Sequence, residues 1–303
     1  MTAQPPVRRR WRRVDGVLLL DKPAGMSSND ALQKARRLFS AEKAGHTGTL
    51  DPLATGLLPL CFGEATKFSA DLLEADKTYE ATLRFGIRTT TGDAEGDPVE
   101  VRTVTHDAAT LADTLPRFTG MISQVPPMYS ALKRDGRPLY ELARQGIEIE
   151  RAARDVVIHA LALLSSDADH AVLRVRCSKG TYIRTLAEDI GAALGCGAHL
   201  TALRRTGVGD LTLAGATTLE SIAATTENER DALLAPVDSL LQSLPRVDLG
   251  DAESLRFRNG NPVPLDSAPG LCRVYAGHLL GVGRADGNGQ LHPKRLIALA
   301  ASH

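Results

Sequence analysis

Residues 45–56 have the sequence GHTGTLDPLATG. Because Pro52 disfavours the helical conformation for the residue before it, the carboxylate of Asp51 is expected to project from a stiff, extended loop. Flanking glycines allow a ligand to come close to the backbone of such a loop. Taken alone, an Asp-Pro pair in a glycine-rich segment is usually a turn in which the aspartate caps the backbone. The surrounding sequence therefore has to decide between a turn and a functional site.

The segment upstream of this loop predicts a strand followed by a helix. Gly16–Leu20 is a short apolar run that ends before Pro23, as expected of a buried strand. Ser27 or Ser28 can cap a helix that continues to about Phe39. We expect this strand and helix to pack beside the loop.

Downstream of the loop, strands and helices continue to interleave. The predicted elements are a strand near Leu57–Phe62, a helix across Glu64–Leu73, strands at Tyr79–Phe85 and Ala171–Cys177, and a helix from about Thr181 to Leu194. They do not alternate regularly, as they would in a doubly wound fold, so the pattern favours a mixed α+β sheet. Near 236–245 the helical pattern gives way to short apolar pieces broken by glycine and asparagine, which predicts a small all-β module.

Composition excludes several classes of protein. With 303 residues, 43% of them hydrophobic, the chain can bury a substantial core. No apolar run approaches the roughly 20 residues that span a bilayer, and no cleavage site follows the basic start, so we expect a cytoplasmic protein without a membrane segment. The four scattered cysteines form no Cys-x-x-Cys pair and are expected to fill the core.

The charge distribution carries more information than the net charge. Lys and Arg balance Asp and Glu at 36 each, yet residues 1–50 hold ten basic and four acidic side chains. A basic face that contacts phosphates would explain this bias. Scattered basic residues on a solvated surface would explain it equally well.

Segment 45–56 closely resembles the catalytic motif of the tRNA pseudouridine synthase B family, the tRNA pseudouridine(55) synthases. Five further motifs of that family are matched in the same order, at 16–25, 77–81, 127–133, 178–186 and 197–205. The resemblance covers the chain from Gly16 to about Thr206. The tail from about Val247 is similar to an abbreviated PUA RNA-binding module.

The resemblance implies an architecture. A basic N-terminal arm (1–15) precedes a pseudouridine synthase domain (16–245), which carries an RNA-gripping insert at about 123–152. A PUA-like module (246–303) follows. The fold class implied is α+β, with a mixed, mainly antiparallel central sheet flanked by helices and loops.

The resemblance also implies roles for individual residues. Asp51 would attack the target uridine, at the base or at the ribose C1′, and Arg184 would pair with it. Tyr79 would stack on the flipped base and is a candidate for assisting loss of the carbon 5 proton. The remaining implied roles are base enclosure by Tyr182 and Leu203, extrusion of the uridine by His46, and support of the loop or of a phosphate by Lys22.

No metal or other cofactor is expected, because the isomerisation requires no redox change, group donor or hydrolysis. Cys196 and His199 have ligand-like spacing, but the sequence offers no second pair for a zinc site. The partner implied is the T-arm stem-loop of tRNA, bound by a monomer of the bacterial stand-alone type without guide RNA or an obligate protein partner.

Two alternatives are retained. The protein could be a tRNA-binding or tRNA-refolding protein whose catalysis is secondary, although the set of Asp51, Tyr79 and Arg184 argues against lost catalysis. It could also be a guide-RNA-dependent synthase of the dyskerin type, which shares the catalytic core and the PUA tail. The insert at 123–152 resembles the grip of the stand-alone group and favours action without partners.

Overall fold

The computed structural model describes residues 10–130, 132–134 and 136–298. The first nine residues of the predicted basic arm, two positions of the predicted insert and the last five residues therefore lie outside the described residues. The remaining part of the chain forms one large mixed sheet with helices and a smaller C-terminal sheet.

Strands dominate the described part of the chain. In chain order they are β1 (Gly16–Lys22), β2 (Ala44–His46), β3 (Thr55–Phe62), β4 (Lys77–Phe85), β5 (Ile87–Thr89), β6 (Pro98–Val101), β7 (Gly120–Gln124), β8 (Lys133–Arg134), β9 (Arg137–Pro138), β10 (Arg154–Ser166), β11 (His170–Cys177), β12 (Ala198–Val208), β13 (Leu211–Thr212), β14 (Arg246–Asp248), β15 (Val263–Pro264), β16 (Gly270–Ala276), β17 (His278–Ala285) and β18 (Gln290–Leu296).

The helices are short and lie between the strands. They are α1 (Ser28–Leu38), α2 (Ser69–Glu74), α3 (Ala108–Thr114), α4 (Leu139–Ala143), α5 (Ile183–Ala193), α6 (Leu219–Ala224) and α7 (Asp251–Arg258). The helix predicted across 64–73 is a 3₁₀ helix (Gly63–Phe68) that continues into α2. The 3₁₀ turns elsewhere are Leu115–Phe118, Arg230–Leu233 and Val237–Leu241.

The large sheet has the order β1-β3-β12-β4-β11-β10-β7, with β2 paired to β3 and β13 to β12. Its neighbours are antiparallel, except that β12 and β3 run parallel. The predicted mixed, mainly antiparallel sheet is confirmed. Because β4 lies between β12 and β11, its residues pair with residues that are at least 86 positions away in sequence.

Alternation along β4 decides which side chains reach the core. Ala81, Leu83 and Phe85 are buried and pack in one cluster with Leu186 and Ile190 of α5. This is the face predicted from the sequence, because successive side chains of a strand point to opposite faces. Tyr79 lies on the same face, at the end of the row, where the cluster opens into a cleft.

Helix α1 begins where the sequence predicts. Ser27 is its N-cap and accepts a hydrogen bond from the Asp30 backbone N–H, while the Asp30 carboxylate accepts one from the Ser27 N–H. This reciprocal capping satisfies two N–H groups that a helix start otherwise leaves unpaired. The buried face of the helix, which includes Leu32 and Ala35, packs on the sheet.

The C-terminal module has the sheet order β14-β16-β17-β18-β15. The predicted β module is present, and it also contains α7, which the sequence analysis did not predict. Phe257 of that helix is fully buried against Val274 and Leu291. The module contacts the rest of the protein through Val282, which shares a buried cluster with Val17 and other residues of the large sheet.

Residues 10–15, the described part of the N-terminal arm, are docked on the rest of the protein. The backbone N–H of Arg12 donates to Ser40 at 2.7 Å, and Val14 is buried in the main core. All four cysteines are buried and unbonded, so their predicted packing role is confirmed. Within the described residues, none of the helices has the length and apolar character needed to cross a membrane.

Candidate active site

The loop between β2 and β3 carries Asp51 and is held at several points. Gly48 and Gly56 adopt φ of +100° and +97°, a region that side chains other than glycine rarely occupy. A Cβ atom at Gly56 would lie 2.3 Å from the backbone oxygen of Arg205. The backbone N–H of Leu50 donates to the Ser28 hydroxyl at 2.7 Å. Helix α1 and strand β12 therefore fix both ends of the loop.

Asp51 forms an ion pair with Arg184. Arg184 Nη2 lies 3.0 Å from Asp51 Oδ2, and the arginine is 5% exposed. Tyr182 is the N-cap of α5, so Arg184 falls in the first turn of that helix, on its buried face. The contact joins two segments that are 133 positions apart in sequence, as the sequence analysis expected.

Arg184 has further partners that restrict its position. It donates to the backbone oxygens of Thr91 at 3.1 Å and Tyr129 at 2.7 Å. The carboxylate of Asp93 lies 3.6 Å from Arg184 Nε and is itself buried. An arginine with acceptors on several sides cannot rotate away from Asp51 without leaving buried groups unpaired.

The electrostatics of Asp51 result from two opposed effects. Burial raises the pKa of its carboxyl above the usual range, and the charge of Arg184 acts in the opposite direction. The nearby Asp93 raises the pKa further. The charge of Arg184 therefore favours the ionised form of Asp51, against the effect of burial.

Asp51 lines a cleft of about 270 Å³. This volume is close to that of the smallest pockets that hold small molecules, which is roughly 300 Å³. Its lining includes Tyr79, Tyr182 and Leu203. Aromatic and aliphatic walls around one carboxylate suit a flat, partly polar ring. A second cleft, of about 500 Å³, is lined by Thr78 and contains neither Asp51 nor any other predicted site residue.

The predicted insert reaches this cleft. The Tyr129 carbonyl binds Arg184, and the neighbouring Ser130 lines the cleft with a buried hydroxyl that has no hydrogen-bond partner. An unpaired buried hydroxyl costs free energy, so it marks a position where a bound molecule can supply the missing partner. The insert thus contributes both to the arginine and to the wall.

The surroundings of Lys22 favour one of the two roles predicted for it. The residue is fully buried at the end of β1, and its Nζ donates to the backbone oxygens of Pro23 at 2.9 Å, Met26 at 2.8 Å and Pro52 at 3.4 Å. Burial lowers the pKa of its ammonium group to about 8. This geometry favours support of the loop over contact with a phosphate, which would need an exposed ammonium group.

His46 lies at the end of β2, half-buried beside the loop. Its Nδ1 is buried without a hydrogen-bond partner, and burial lowers the pKa of the imidazole. The ring is therefore neutral near pH 7. His46 does not line the cleft, although Gly48, two residues further along the chain, does.

Three residues of this site were not singled out by the sequence analysis. Asp93 and Arg205 are buried charged residues beside the proposed pocket, and Ser28 anchors the catalytic loop. The sequence analysis considered Ser28 only as a possible helix cap, and Arg205 lies within a matched motif (197–205) without an assigned role. Their positions depend on the pairing of distant strands, which no local pattern reveals.

Cys196 and His199, whose spacing is ligand-like, face different partners. Cys196 Sγ faces His106 Nδ1 at 3.7 Å, whereas His199 Nδ1 faces the Ile87 carbonyl at 2.8 Å. In the described part of the chain, the grouping of possible metal ligands is at Asp167, Asp169 and His170. It is an exposed turn between β10 and β11, in which Asp167 accepts backbone hydrogen bonds.

Models of known protein families match nearly the whole described chain. The model described as "TruB family pseudouridylate synthase (N terminal domain)" matches residues 36–183. The models described as "tRNA pseudouridylate synthase B C-terminal domain" and "Pseudouridine synthase II TruB, C-terminal" match residues 184–242 and 245–297.

Similar curated proteins carry one name. The tRNA pseudouridine synthase B of Dechloromonas aromatica (strain RCB) is 62% identical over 295 residues, which cover 97% of this chain and 99% of that protein. The tRNA pseudouridine synthase B of Burkholderia mallei (strain ATCC 23344) is 61% identical over 310 residues, which cover 99% of each.

Solved structures share the fold. A Cbf5-Nop10-Gar1 complex contains a chain that matches with a TM-score of 0.70 and 26% identity, over 93% of this chain and 84% of that one. An H/ACA RNP bound to a substrate RNA containing 2′-deoxyuridine matches with a TM-score of 0.71 and 24% identity, over 94% of this chain and 85% of that one. At this identity the second match supports the fold alone.

The protein has a mixed sheet with one loop aspartate beside its central strands, and its sequence matches the family model. Together these features define the class of protein as a pseudouridylate synthase. Identity above 60% along nearly the whole length narrows the class further. The chain belongs to the TruB family, the tRNA pseudouridine synthase B proteins, and the family predicted from six short motifs is confirmed.

Proposed function

We propose that this protein isomerises uridine to pseudouridine at position 55, in the T loop of tRNA, with Asp51 as the catalytic carboxylate. The observation that carries the proposal is the buried ion pair of Asp51 and Arg184 beside a cleft with aromatic walls. Names of similar proteins support the substrate class, because tRNA pseudouridine synthase B is the name of relatives above 60% identity.

The reaction requires the target base to leave the T loop. Extrusion of a base costs about a few kcal/mol of stacking and pairing free energy, which contacts elsewhere must offset. Tyr79 and Tyr182 offer ring surfaces for the extruded uracil, and Leu203 closes the wall. His46, neutral and two residues from the Gly48 that lines the cleft, is suited to occupy the place that the base vacates.

Chemistry at the glycosidic bond follows from the ionised carboxylate. Asp51 attacks either the base or the ribose C1′; the C1′–N1 bond breaks and its electron pair stays with uracil. After rotation, carbon 5 bonds to C1′ and the bond to Asp51 breaks, which releases the carboxylate. Carbon 5 then loses its proton, for which Tyr79 is a candidate acceptor or relay, and N1 takes up a proton. Arg184 keeps the carboxylate ionised while RNA excludes water. The proton lost from carbon 5 is balanced by the proton gained at N1, so the product is an isomer of the substrate and no cofactor or metal is needed.

We also propose a separate role for each segment of the chain. Residues 16–245 would carry catalysis, the insert at about 123–152 would grip the RNA, and residues 246–303 would add a PUA-like RNA-binding surface. Residues 1–15 would add basic charge. The protein would act on tRNA as a monomer, in the cytoplasm.

A guide-RNA-dependent activity is the second candidate, because the matched structures include an H/ACA RNP. The deciding experiment uses purified protein and an unmodified T-arm stem-loop with tritium at carbon 5 of its uridines, without guide RNA or other proteins. Release of one equivalent, lost when the uridine at position 55 is replaced by cytidine, is the expected result. Tight binding without release would reject the stand-alone proposal in favour of a guided or binding-only function.

A further inference from the structure

Arg205 is one of the largest fully buried side chains of the described protein, at 1% exposure. Its guanidinium donates to three backbone oxygens: Nε to Leu57 at 2.7 Å, Nη1 to Thr49 at 3.4 Å and Nη2 to Gly48 at 3.5 Å. The first acceptor belongs to β3 and the other two to the loop that carries Asp51. The side chain also lines the cleft.

The same guanidinium lies beside Tyr79 in the wall of the cleft. Burial raises the pKa of the Tyr79 hydroxyl, and the charge of Arg205 acts in the opposite direction. Tyr79 and Arg205 are direct partners in the pairing of β4 with β12, so their backbones are fixed relative to each other. One side chain therefore contacts both the stacking tyrosine and the catalytic loop.

Among the described residues, the charge of Arg205 has no carboxylate partner within 4.0 Å, in contrast to Arg184, which faces Asp51 and Asp93. A buried charge satisfied only by neutral acceptors is costly, and an uncharged side chain of similar volume would serve packing better. Retention of this arginine in the pocket calls for a role beyond packing.

We propose that Arg205 is a positioning residue, which holds the ring of Tyr79 and the Gly48–Thr49 turn in a fixed arrangement. The stacked base and Asp51 are then held at the distance and orientation that the reaction requires. This inference rests on the proposed isomerisation. A guanidinium suits the task because its planar fork donates in several fixed directions, whereas an ammonium group is a single point.

The charge of Arg205 gives the position a second effect. When the C1′–N1 bond breaks, its electron pair stays with uracil, and attack at the base likewise places negative charge on the ring. A fixed cation in a dry pocket stabilises such charge without reorganisation. Arg205→Gln, which removes the charge, should therefore impair turnover more than Arg205→Lys, which keeps it.

The first test measures kcat and KM for tritium release from the T-arm stem-loop. We expect Arg205→Lys to lower kcat by roughly 10-fold and Arg205→Gln by roughly 100-fold, with KM within about 3-fold of the wild-type value. An unchanged kcat in both variants overturns the proposal. Absence of release by the wild-type protein instead rejects the proposed function, so the two failures are distinguishable.

A matched control separates positioning from simple structural support. Arg230 also donates to backbone oxygens, those of Leu38 at 2.7 Å, of Ile222 and Thr225 at 3.1 Å and of Ala223 at 3.5 Å, but does not line the cleft. Arg230→Gln should lower the thermal midpoint while kcat stays within about 2-fold at a temperature where the variant is folded. An equal loss of kcat in Arg230→Gln and Arg205→Gln would reduce Arg205 to structural support.

The second test is a double-mutant cycle with Tyr79→Phe, which removes only the hydroxyl. If Arg205 acts partly through that hydroxyl, Arg205→Lys should cost clearly less kcat in the Tyr79→Phe background than in the wild type. Equal costs in both backgrounds overturn the link to Tyr79. Since Arg205→Lys keeps the charge and the stem, this cycle remains decisive if Arg205→Gln does not fold.

Discussion

The cleft beside Asp51 and the C-terminal module differ in the kind of side chain that they bury. In the module, the buried cluster is apolar, formed by residues such as Phe257 and Val274, and the ion pair of Arg246 with Asp248 lies at the surface. Around the pocket, Lys22, Arg184 and Arg205 are all at most 5% exposed.

The difference shows which region is built for stability and which for chemistry. Apolar burial contributes about 25 cal/mol per Å² to folding, whereas burying a charge is unfavourable unless it is well paired. The charges around the pocket are satisfied mostly by loop carbonyls, so they hold loops in place at a cost in stability. We expect substitutions in the pocket to affect turnover and substitutions in the module to affect unfolding.

The largest expected effect is that of Asp51→Asn, a nearly isosteric change that removes the nucleophile. Turnover should fall by about 10⁴-fold or more. Binding of the stem-loop should stay within a few-fold, because phosphate contacts dominate affinity. Single-turnover tritium release and a filter-binding titration measure the two quantities, and near-normal turnover would remove Asp51 from its role.

Arg184→Met should be the next most harmful change. It leaves Asp51 buried without its cation, so the pKa of the carboxyl rises and less of it is ionised at neutral pH. We expect kcat to fall by about 10³-fold and to recover partly as the pH is raised. A pH-independent loss would show that Arg184 acts by position and not by charge.

Phe257→Ala should produce the reverse outcome in the module. The side chain is fully buried, so its truncation should cost roughly 3–5 kcal/mol of unfolding free energy through lost contacts and a cavity. Under conditions where the variant is folded, kcat should match the wild-type value. Denaturant unfolding together with tritium release tests this, and a large loss of kcat in the folded variant would contradict the division between regions.

The pH dependence of stability sharpens the comparison further. The pKa of Asp51 is raised in the folded protein, so the folded state binds this proton more strongly than the unfolded state. Its contribution to stability is therefore fully present below the 3.8 usual for an aspartate and is lost as the pH rises through the folded value. Over this pH window, the unfolding free energy of the wild-type protein should fall relative to that of Asp51→Asn. If the difference in unfolding free energy between the two proteins does not change with pH, the pKa of Asp51 is not raised.

The smallest expected effect is that of Arg246→Ala at the module surface. The ion pair with Asp248 is exposed and screened by solvent, so the unfolding midpoint should change least among these variants and kcat should stay the same. Its stacking over Tyr275, at 4.1 Å from the ring centroid, is the contact that would account for any residual shift. A loss as large as that of Phe257→Ala would break the comparison.

Local patterns predicted much of the fold. Alternation along β4 indicated both the strand and its buried face, and Ser27 indicated the start of α1. Helix α7 was missed because Phe257 is its one fully buried large side chain, so its sequence shows no apolar face. Docking of residues 10–15 was missed because it depends on contacts with Ser40 and with Asp231, far away in sequence.

The sequence by itself determined the family, the catalytic loop and the residues proposed for the reaction, because six motifs in one order carry that information without coordinates. Only the tertiary structure decided how charges are shared in the pocket: Arg184 between Asp51 and Asp93, and Arg205 between Tyr79 and the loop. The physical reason is that these contacts arise from pairing of distant strands and from burial. Neither strand pairing nor burial of a charge leaves a local periodicity that can be read from the chain.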